Sequence, residues 1–188
     1  STLPFARYGL ALSAYYQGRV KEARAELETF AADIEAMGLP AFAVEALCLV
    51  AEADLRLGDL AHFAKNRKRI ARPELSDGRN ARPVHVLLVE AVGGVLKRES
   101  GQAHFEAAMR LADAGRAMQA VLPLHFVHFY WGLALRAHGH PDDGNVHLRL
   151  ARDVLDRHHF KARLAILPEA ERQIADAFSR FAAGGANT

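Results

Sequence analysis

The chain has little of several residue types, and each scarcity excludes a class of protein. Its 188 residues include one cysteine, Cys48, which excludes an intrachain disulfide and a cysteine metal cluster. No apolar run reaches the roughly 18 residues that span a membrane, and no basic-then-apolar leader opens the sequence. We therefore expect no membrane segment and no signal peptide. Lys and Arg exceed Asp and Glu by two, a surplus too small to predict nucleic-acid binding. These scarcities favour a cytoplasmic protein.

Catalytic signatures are missing from the sequence as well. It contains no phosphate loop, no dinucleotide fingerprint, no nucleophile elbow and no paired catalytic carboxylates. We therefore expect neither an enzyme nor a cofactor.

Apolar residues make up 51% of the chain and recur at helical spacing almost everywhere. The stripe predicted for one helix consists of Val20, Ala23, Leu27, Phe30, Ala31 and Ile34. Strand-like alternation is missing, and the β-branched run over residues 84–92 is interpreted as a buried helix because its neighbours are helical. The pattern predicts an all-α fold of about nine helices.

A sequence motif recurs with a period near forty residues. Each copy is an apolar helical run, a glycine and a second amphipathic run, and the glycines are Gly18, Gly58, Gly101 and Gly139. Such a period is typical of stacked helical repeats. We predict one domain over 1–183, with helix pairs at 5–38, 41–72, 83–118 and 123–165. A capping helix at 168–183 would begin at Pro168, and 184–188 would form a disordered tail.

These units resemble the tetratricopeptide repeat, a pair of helices with small residues at their crossing. The last unit carries the likeness best, through Trp131, Gly132, Gly139, Gly144, Leu148 and Ala151. The first unit contributes Leu10, Ala11, Gly18, Ala23, Leu27 and Phe30. The resemblance implies a right-handed α–α superhelix with a concave groove, and it places Gly132 and Ala11 at close helix contacts.

The length of the units is similar to that of bacterial transcription regulators of the maltose-regulator type. This likeness implies a non-catalytic recognition module in a signalling or transcription-regulatory protein. Its groove would hold a peptide, a neighbouring domain or an effector, and a second copy of the chain is a further candidate partner. We expect no membrane or nucleic-acid partner for this domain.

Three arginines occupy similar places in the units. Arg56, Arg98 and Arg136 each come two or three residues before a turn glycine. In the family that the units resemble, these positions point into the groove, where a ladder of guanidinium groups would bind carboxylates of an acidic partner. Tyr15 and Tyr16 would add an aromatic wall. The competing interpretation is that basic residues are simply favoured at helix C-termini.

An aromatic cluster over residues 126–131 leaves a second function open. Phe126 and Phe129, beside Trp131, favour core packing by default. If they instead line the groove, the chain is a receptor for a small-molecule effector.

The histidines raise a third alternative, a helical metal-dependent enzyme. His125 and His128 share a helical face, and the segment 138–143 places two histidines near two aspartates. A catalytic zinc needs three such ligands and an open position. The competing interpretation has Asp142 or Asp143 capping the next helix, and on that interpretation we expect no metal.

Overall fold

The computed structural model describes residues 3–72, 84–97, 99, 101–116 and 122–184, with the side chains of residues 41, 115, 116, 122 and 181–184 excepted. This part of the chain forms nine helices and no strand, so the predicted all-α class is confirmed. The helices are α1 Leu3–Tyr16, α2 Val20–Ala36, α3 Pro40–Leu57, α4 Leu60–Ile70, α5 Val84–Leu96, α6 Gln102–Arg116, α7 Leu122–Ala137, α8 Pro141–Arg157 and α9 Lys161–Gly184.

The chain divides into two compact units, residues 1–82 and 83–188. In the first unit α1 packs on α2, α2 on α3, and α3 on α4. In the second unit α5 packs on α6 and α7, and α7 packs on α6 and α8. Helix α9 contacts α5, α7 and α8 of its own unit.

The hydrophobic patterns behave as the sequence predicts. All six residues of the predicted α2 stripe are buried. In α5, ten of thirteen residues are buried, which confirms that the β-branched run is a buried helix. An amphipathic helix needs one covered face, whereas a helix that is apolar all round must be enclosed.

Four of the described turns between helices, each containing a glycine, share one hydrogen-bond pattern. In the turn between α7 and α8, the Gly139 N–H donates to the Arg136 carbonyl (3.2 Å) and the His140 N–H donates to the Leu135 carbonyl (2.9 Å). Gly139 has φ of +82°, in the left-handed region that this C-terminal motif requires. The same pattern closes the turns at Gly18, Gly38 and Gly58.

The turn between α8 and α9 uses this geometry without glycine. His159 takes φ of +59°, its N–H donates to Asp156, and the next N–H donates to Leu155. The chain therefore reverses before Lys161, and α9 begins seven residues ahead of the predicted start at Pro168. Pro168 lies inside α9, where it has no N–H to donate to the preceding turn. A histidine in place of glycine explains why the sequence pattern did not reveal this boundary.

Helices α7 and α8 approach until their backbones touch. A Cβ built on Gly132 would lie 2.8 Å from the Gly144 carbonyl oxygen, and one built on Gly144 would lie 2.7 Å from the Gly132 carbonyl oxygen. Neither position therefore has room for a side chain, and the predicted close contact at Gly132 is confirmed. Ala11 is fully buried in the other unit.

Two smaller expectations differ or fall outside the described residues. Helix α8 starts at Pro141 with His140 as its N-cap, so Asp142 and Asp143 lie in the first turn and neither caps the helix. Proline at the first helical position fixes that start. Of the predicted tail at 184–188, Gly184 ends α9 and the other residues lie outside the described part.

Candidate functional site

In the first unit, the predicted groove residues Tyr15 and Arg56 form a buried cluster. The Arg56 guanidinium carbon lies 4.9 Å from the centroid of the Tyr15 ring. The two residues are 1% and 5% exposed. The Tyr15 hydroxyl donates a hydrogen bond to the Glu52 carboxylate, and Tyr16 packs edge-on against Tyr15 at 5.8 Å. These contacts join α1 to α3 and leave Tyr16 partly exposed.

The other two predicted arginines are placed differently. Arg98 lies outside the described residues. Arg136, in the second unit, is exposed and donates to the Glu171 carboxylate of α9 at 2.7 Å. Arg152 pairs with the second oxygen of that carboxylate. The convergence of Arg56, Arg98 and Arg136 in one groove therefore stays a prediction.

Phe126 and Phe129 lie in the interior of the second unit. They are 5% and 0% exposed, and the Arg163 guanidinium carbon lies 4.9 Å and 5.7 Å from their ring centroids. The Arg163 Nε–H donates to His125 Nε2 (3.3 Å), and His125 Nδ1 lies 3.0 Å from the Ala151 carbonyl oxygen. Because that oxygen only accepts, His125 carries its proton on Nδ1. This cluster ties α9 to α7 and α8.

A pocket of about 480 Å³ opens in the second unit among α6, α7 and α8. Its walls consist of Gln102, Trp131, Ala134, Leu135, His138, His140, Asp143, Val146 and His147. The volume lies in the range typical of small-molecule sites. Trp131 precedes Gly132 at the close contact between α7 and α8, and the turn between these helices and the first turns of α8 supply most of the other lining residues.

One wall of the pocket is aromatic. The Trp131 ring stacks on Phe105 of α6, with centroids 5.7 Å apart and planes 7° from parallel. The His147 ring lies against Trp131 at 4.7 Å. Trp131 remains partly exposed, so some of its indole surface is accessible in the pocket.

Histidines and one carboxylate form the polar part of the pocket. His138 Nδ1 lies 2.9 Å from the Ala134 carbonyl oxygen, and His147 Nδ1 lies 3.0 Å from His128 Nδ1. Burial lowers the pKa of His147, and the opposing effect of the Asp143 carboxylate is smaller. His147 is therefore a neutral imidazole near pH 7.

The pocket's histidines do not assemble a metal site. Among residues whose positions are described, no three histidine, cysteine or acidic side chains are grouped so that they could hold a metal ion. Likewise, none of the described helices is long and apolar enough to cross a membrane.

The sequence analysis singled out Trp131 and the segment 138–143, which supplies His138, His140 and Asp143 to the pocket, but it did not single out His147 or Gln102. Asp143 and His147 are four residues apart and therefore lie on one helical face, which is a signal that the sequence contained. Gln102 comes from the start of α6, and no local pattern relates it to α8.

A second polar cluster, also not predicted, lies in the first unit. Asp54 is fully buried on α3, where it accepts hydrogen bonds from Arg24 (3.0 Å) and from His62 Nδ1 (2.8 Å). His62 Nε2 lies 2.8 Å from Glu28 of α2. Burial raises the pKa of Asp54, and its two partners oppose this shift without cancelling it. The cluster links α2, α3 and α4, and the hydrogen bonds of Asp54 and His62 join these helices to one another.

Comparison with known protein families, curated proteins and solved structures gives no match to this chain.

Proposed function

We propose that the chain is a non-catalytic recognition module that binds a small ligand in the pocket among α6, α7 and α8. The observation that carries this proposal is the pocket itself, about 480 Å³ with Trp131 in its wall and histidines and Asp143 at its edge. A mostly apolar cavity with a few polar groups is the usual form of a ligand site.

The composition of the wall supports binding over catalysis. None of the nine described side chains that line the pocket carries a hydroxyl, thiol or amine that could act as a nucleophile. His138 donates from Nδ1 to a backbone carbonyl, and His147 bonds to another histidine rather than to a carboxylate. A base oriented by a carboxylate next to a nucleophile, the arrangement that hydrolytic sites share, is therefore not present among these residues.

The wider setting of the proposal comes from the repeat resemblance. We place the module in a cytoplasmic bacterial protein of signalling or transcription regulation, with the helix pairs arranged as a right-handed superhelix similar to tetratricopeptide repeats. The turns at Gly18, Gly58 and Gly139 support this, because the same hydrogen bonds follow the first helix of three pairs. An experimental structure tests it: one right-handed rotation should relate successive pairs, and a closed bundle would contradict it.

The chain provides its own reporter for binding. Trp131 is its one tryptophan, so fluorescence excited near 295 nm reports the wall of the pocket alone. A library of water-soluble aromatic fragments should contain compounds that change this fluorescence saturably. N-acetyltryptophanamide, measured in parallel, corrects for collisional quenching.

A matched pair of variants tests whether those compounds occupy the pocket. Val146 lines the pocket and Leu150 lies one turn further along α8 outside it, and both are exposed. Val146→Phe should weaken binding at least tenfold by filling the cavity, whereas Leu150→Phe should leave it unchanged. Equal affinity in both variants, or a library without a saturating compound, would contradict the proposal.

A further inference from the structure

We infer that the pocket among α6, α7 and α8 selects a small organic cation with a planar head rich in N–H donors, such as an amidinium or guanidinium group. This names the chemical class of ligand for the pocket and rests on the function proposed above. The closing experiment is arranged so that the two can fail separately.

The described residues that line the pocket carry a negative formal charge. Among them Asp143 is the one carboxylate, and none of them is a lysine or arginine. Asp143 makes no hydrogen bond or ion pair with any residue that the structure describes. Two arginines of α7 and α8, Arg136 and Arg152, are both paired with Glu171 of α9. A cationic ligand would therefore find an unengaged carboxylate.

Helix dipoles do not reverse this sign. The N-terminus of α8 carries about half a positive charge, and the C-terminus of α7 carries about half a negative charge. The two ends adjoin at the turn over 138–140, so their fields oppose each other. Asp142 and Asp143, both in the first turn of α8, add two full negative charges at the same place.

A neutral imidazole supplies a hydrogen-bond acceptor and no positive charge. The Ala134 carbonyl can only accept, so the proton of a neutral His138 lies on Nδ1 and its Nε2 is an acceptor. His147 is held neutral by burial. Asp143 and His138 both line the pocket, so acceptors on α8 and on the preceding turn are available to a ligand head with several N–H groups. A carboxylate or phosphate would meet a carboxylate and lone pairs instead.

The aromatic wall favours the same class. A cation near a tryptophan ring is stabilised because the electron-rich face of the ring attracts it. Planar amidinium and guanidinium groups also stack on aromatic surfaces. The accessible part of the Trp131 indole and the neutral His147 ring provide this surface.

Three probes of nearly identical shape separate charge from shape. Benzamidine is a cation at pH 7.5, benzamide is neutral and benzoate is an anion. Each is titrated into the intact chain at low salt, with Trp131 fluorescence as the readout. The expected order of affinity is benzamidine first, then benzamide, then benzoate, with the cation about threefold to tenfold tighter than its neutral isostere. Because Asp143 is exposed, 0.5 M salt should reduce that preference.

Neighbouring aspartates on α8 provide a matched control. Asp143→Asn should reduce the affinity for benzamidine to that for benzamide, whereas Asp142→Asn makes the same change in net charge outside the wall and should retain the preference. Asp143→Glu should retain it as well. Thermal melts of the three variants identify any that fail to fold. The inference is supported if Asp143→Glu is folded and keeps the preference for benzamidine while Asp143→Asn loses it.

The outcomes distinguish the two levels of the argument. Benzamide or benzoate binding as tightly as benzamidine would overturn the cation inference and leave the ligand pocket standing. An unchanged preference in Asp143→Asn would do the same. If none of the three probes gives a saturable change at Trp131, the cation inference is overturned, and the proposed function is overturned with it only if the fragment library also contains no saturating compound.

Discussion

The contact between Gly132 and Gly144 makes the sharpest prediction about stability. In Gly132→Ala, the new Cβ would lie 2.8 Å from the Gly144 oxygen and 3.1 Å from the Leu148 nitrogen. Both neighbours are backbone atoms and cannot rotate away, so α8 has to move. Overpacking of this kind costs about 1–3 kcal/mol. Replacing a helical glycine by alanine contributes about 1 kcal/mol in the opposite direction. We expect a net loss of up to about 2 kcal/mol.

Gly94→Ala is the control, because it makes the same chemical change in a helix of the same unit. There the nearest atom to a new Cβ is the Glu99 Oε2, at 3.3 Å, and the exposed Glu99 side chain can swing aside. The helix-propensity gain should then dominate, so this variant should match or exceed the stability of the parent. The difference between the two variants isolates the packing cost at the α7–α8 crossing.

Urea unfolding followed by Trp131 fluorescence measures both variants, because the reporter lies in the unit that is changed. In a thermal melt, 1 kcal/mol corresponds to about 4–8 °C for a unit of this size. Gly132→Ala should therefore melt below Gly94→Ala by roughly 4 °C or more. If Gly132→Ala were as stable as Gly94→Ala, or more stable, the close crossing of α7 and α8 would be refuted.

Three further predictions concern other positions. His159→Gly should stabilise the chain by up to about 1 kcal/mol, since His159 has a left-handed backbone that costs an L residue about 1–2 kcal/mol. His158, at φ of −105°, does not have this strain, so His158→Gly should not stabilise the chain. Urea unfolding of the two variants measures the difference. Burial raises the pKa of the Cys48 thiol, so Ellman's reagent should label it only as the first unit opens, and rapid labelling under native conditions would contradict the structure. Because the folded state lowers the pKa of His147, the unfolded state binds more protons below about pH 6.5, and stability should fall on acidification through that range. His147→Gln should flatten this dependence relative to His104→Gln, and equal slopes in the two variants would show that His147 is not responsible.

Helix content and local contacts follow from sequence patterns because each depends on near neighbours. The α2 stripe and the buried α5 helix reflect periodicity alone. The need for glycine at position 132 follows from the position of small residues in the repeated sequence motif. The start of α9 does not follow, because His159 adopts a backbone conformation that glycine normally signals.

The candidate site was less accessible to sequence reasoning, for a physical reason. Trp131 and His147 are brought together by the crossing of two helices, and Gln102 joins them from a third. Such a set depends on the angle and register of packing, which a single sequence does not specify. The reverse happens at Phe126 and Phe129. The sequence allows these rings to line a groove, but in the structure they pack around Arg163 in the interior of the unit.

The central claim, that the pocket at Trp131 binds a ligand, has one most direct test. Labelling the chain with ¹⁵N-tryptophan gives a single indole N–H signal, because Trp131 is the one tryptophan. On titration with the fragment that saturates the Trp131 fluorescence change at the lowest concentration, this signal should move saturably in the parent and in Leu150→Phe, and it should stay in place in Val146→Phe, whose added ring fills the cavity. A signal that does not move in the parent, or that moves equally in Val146→Phe, would contradict the account.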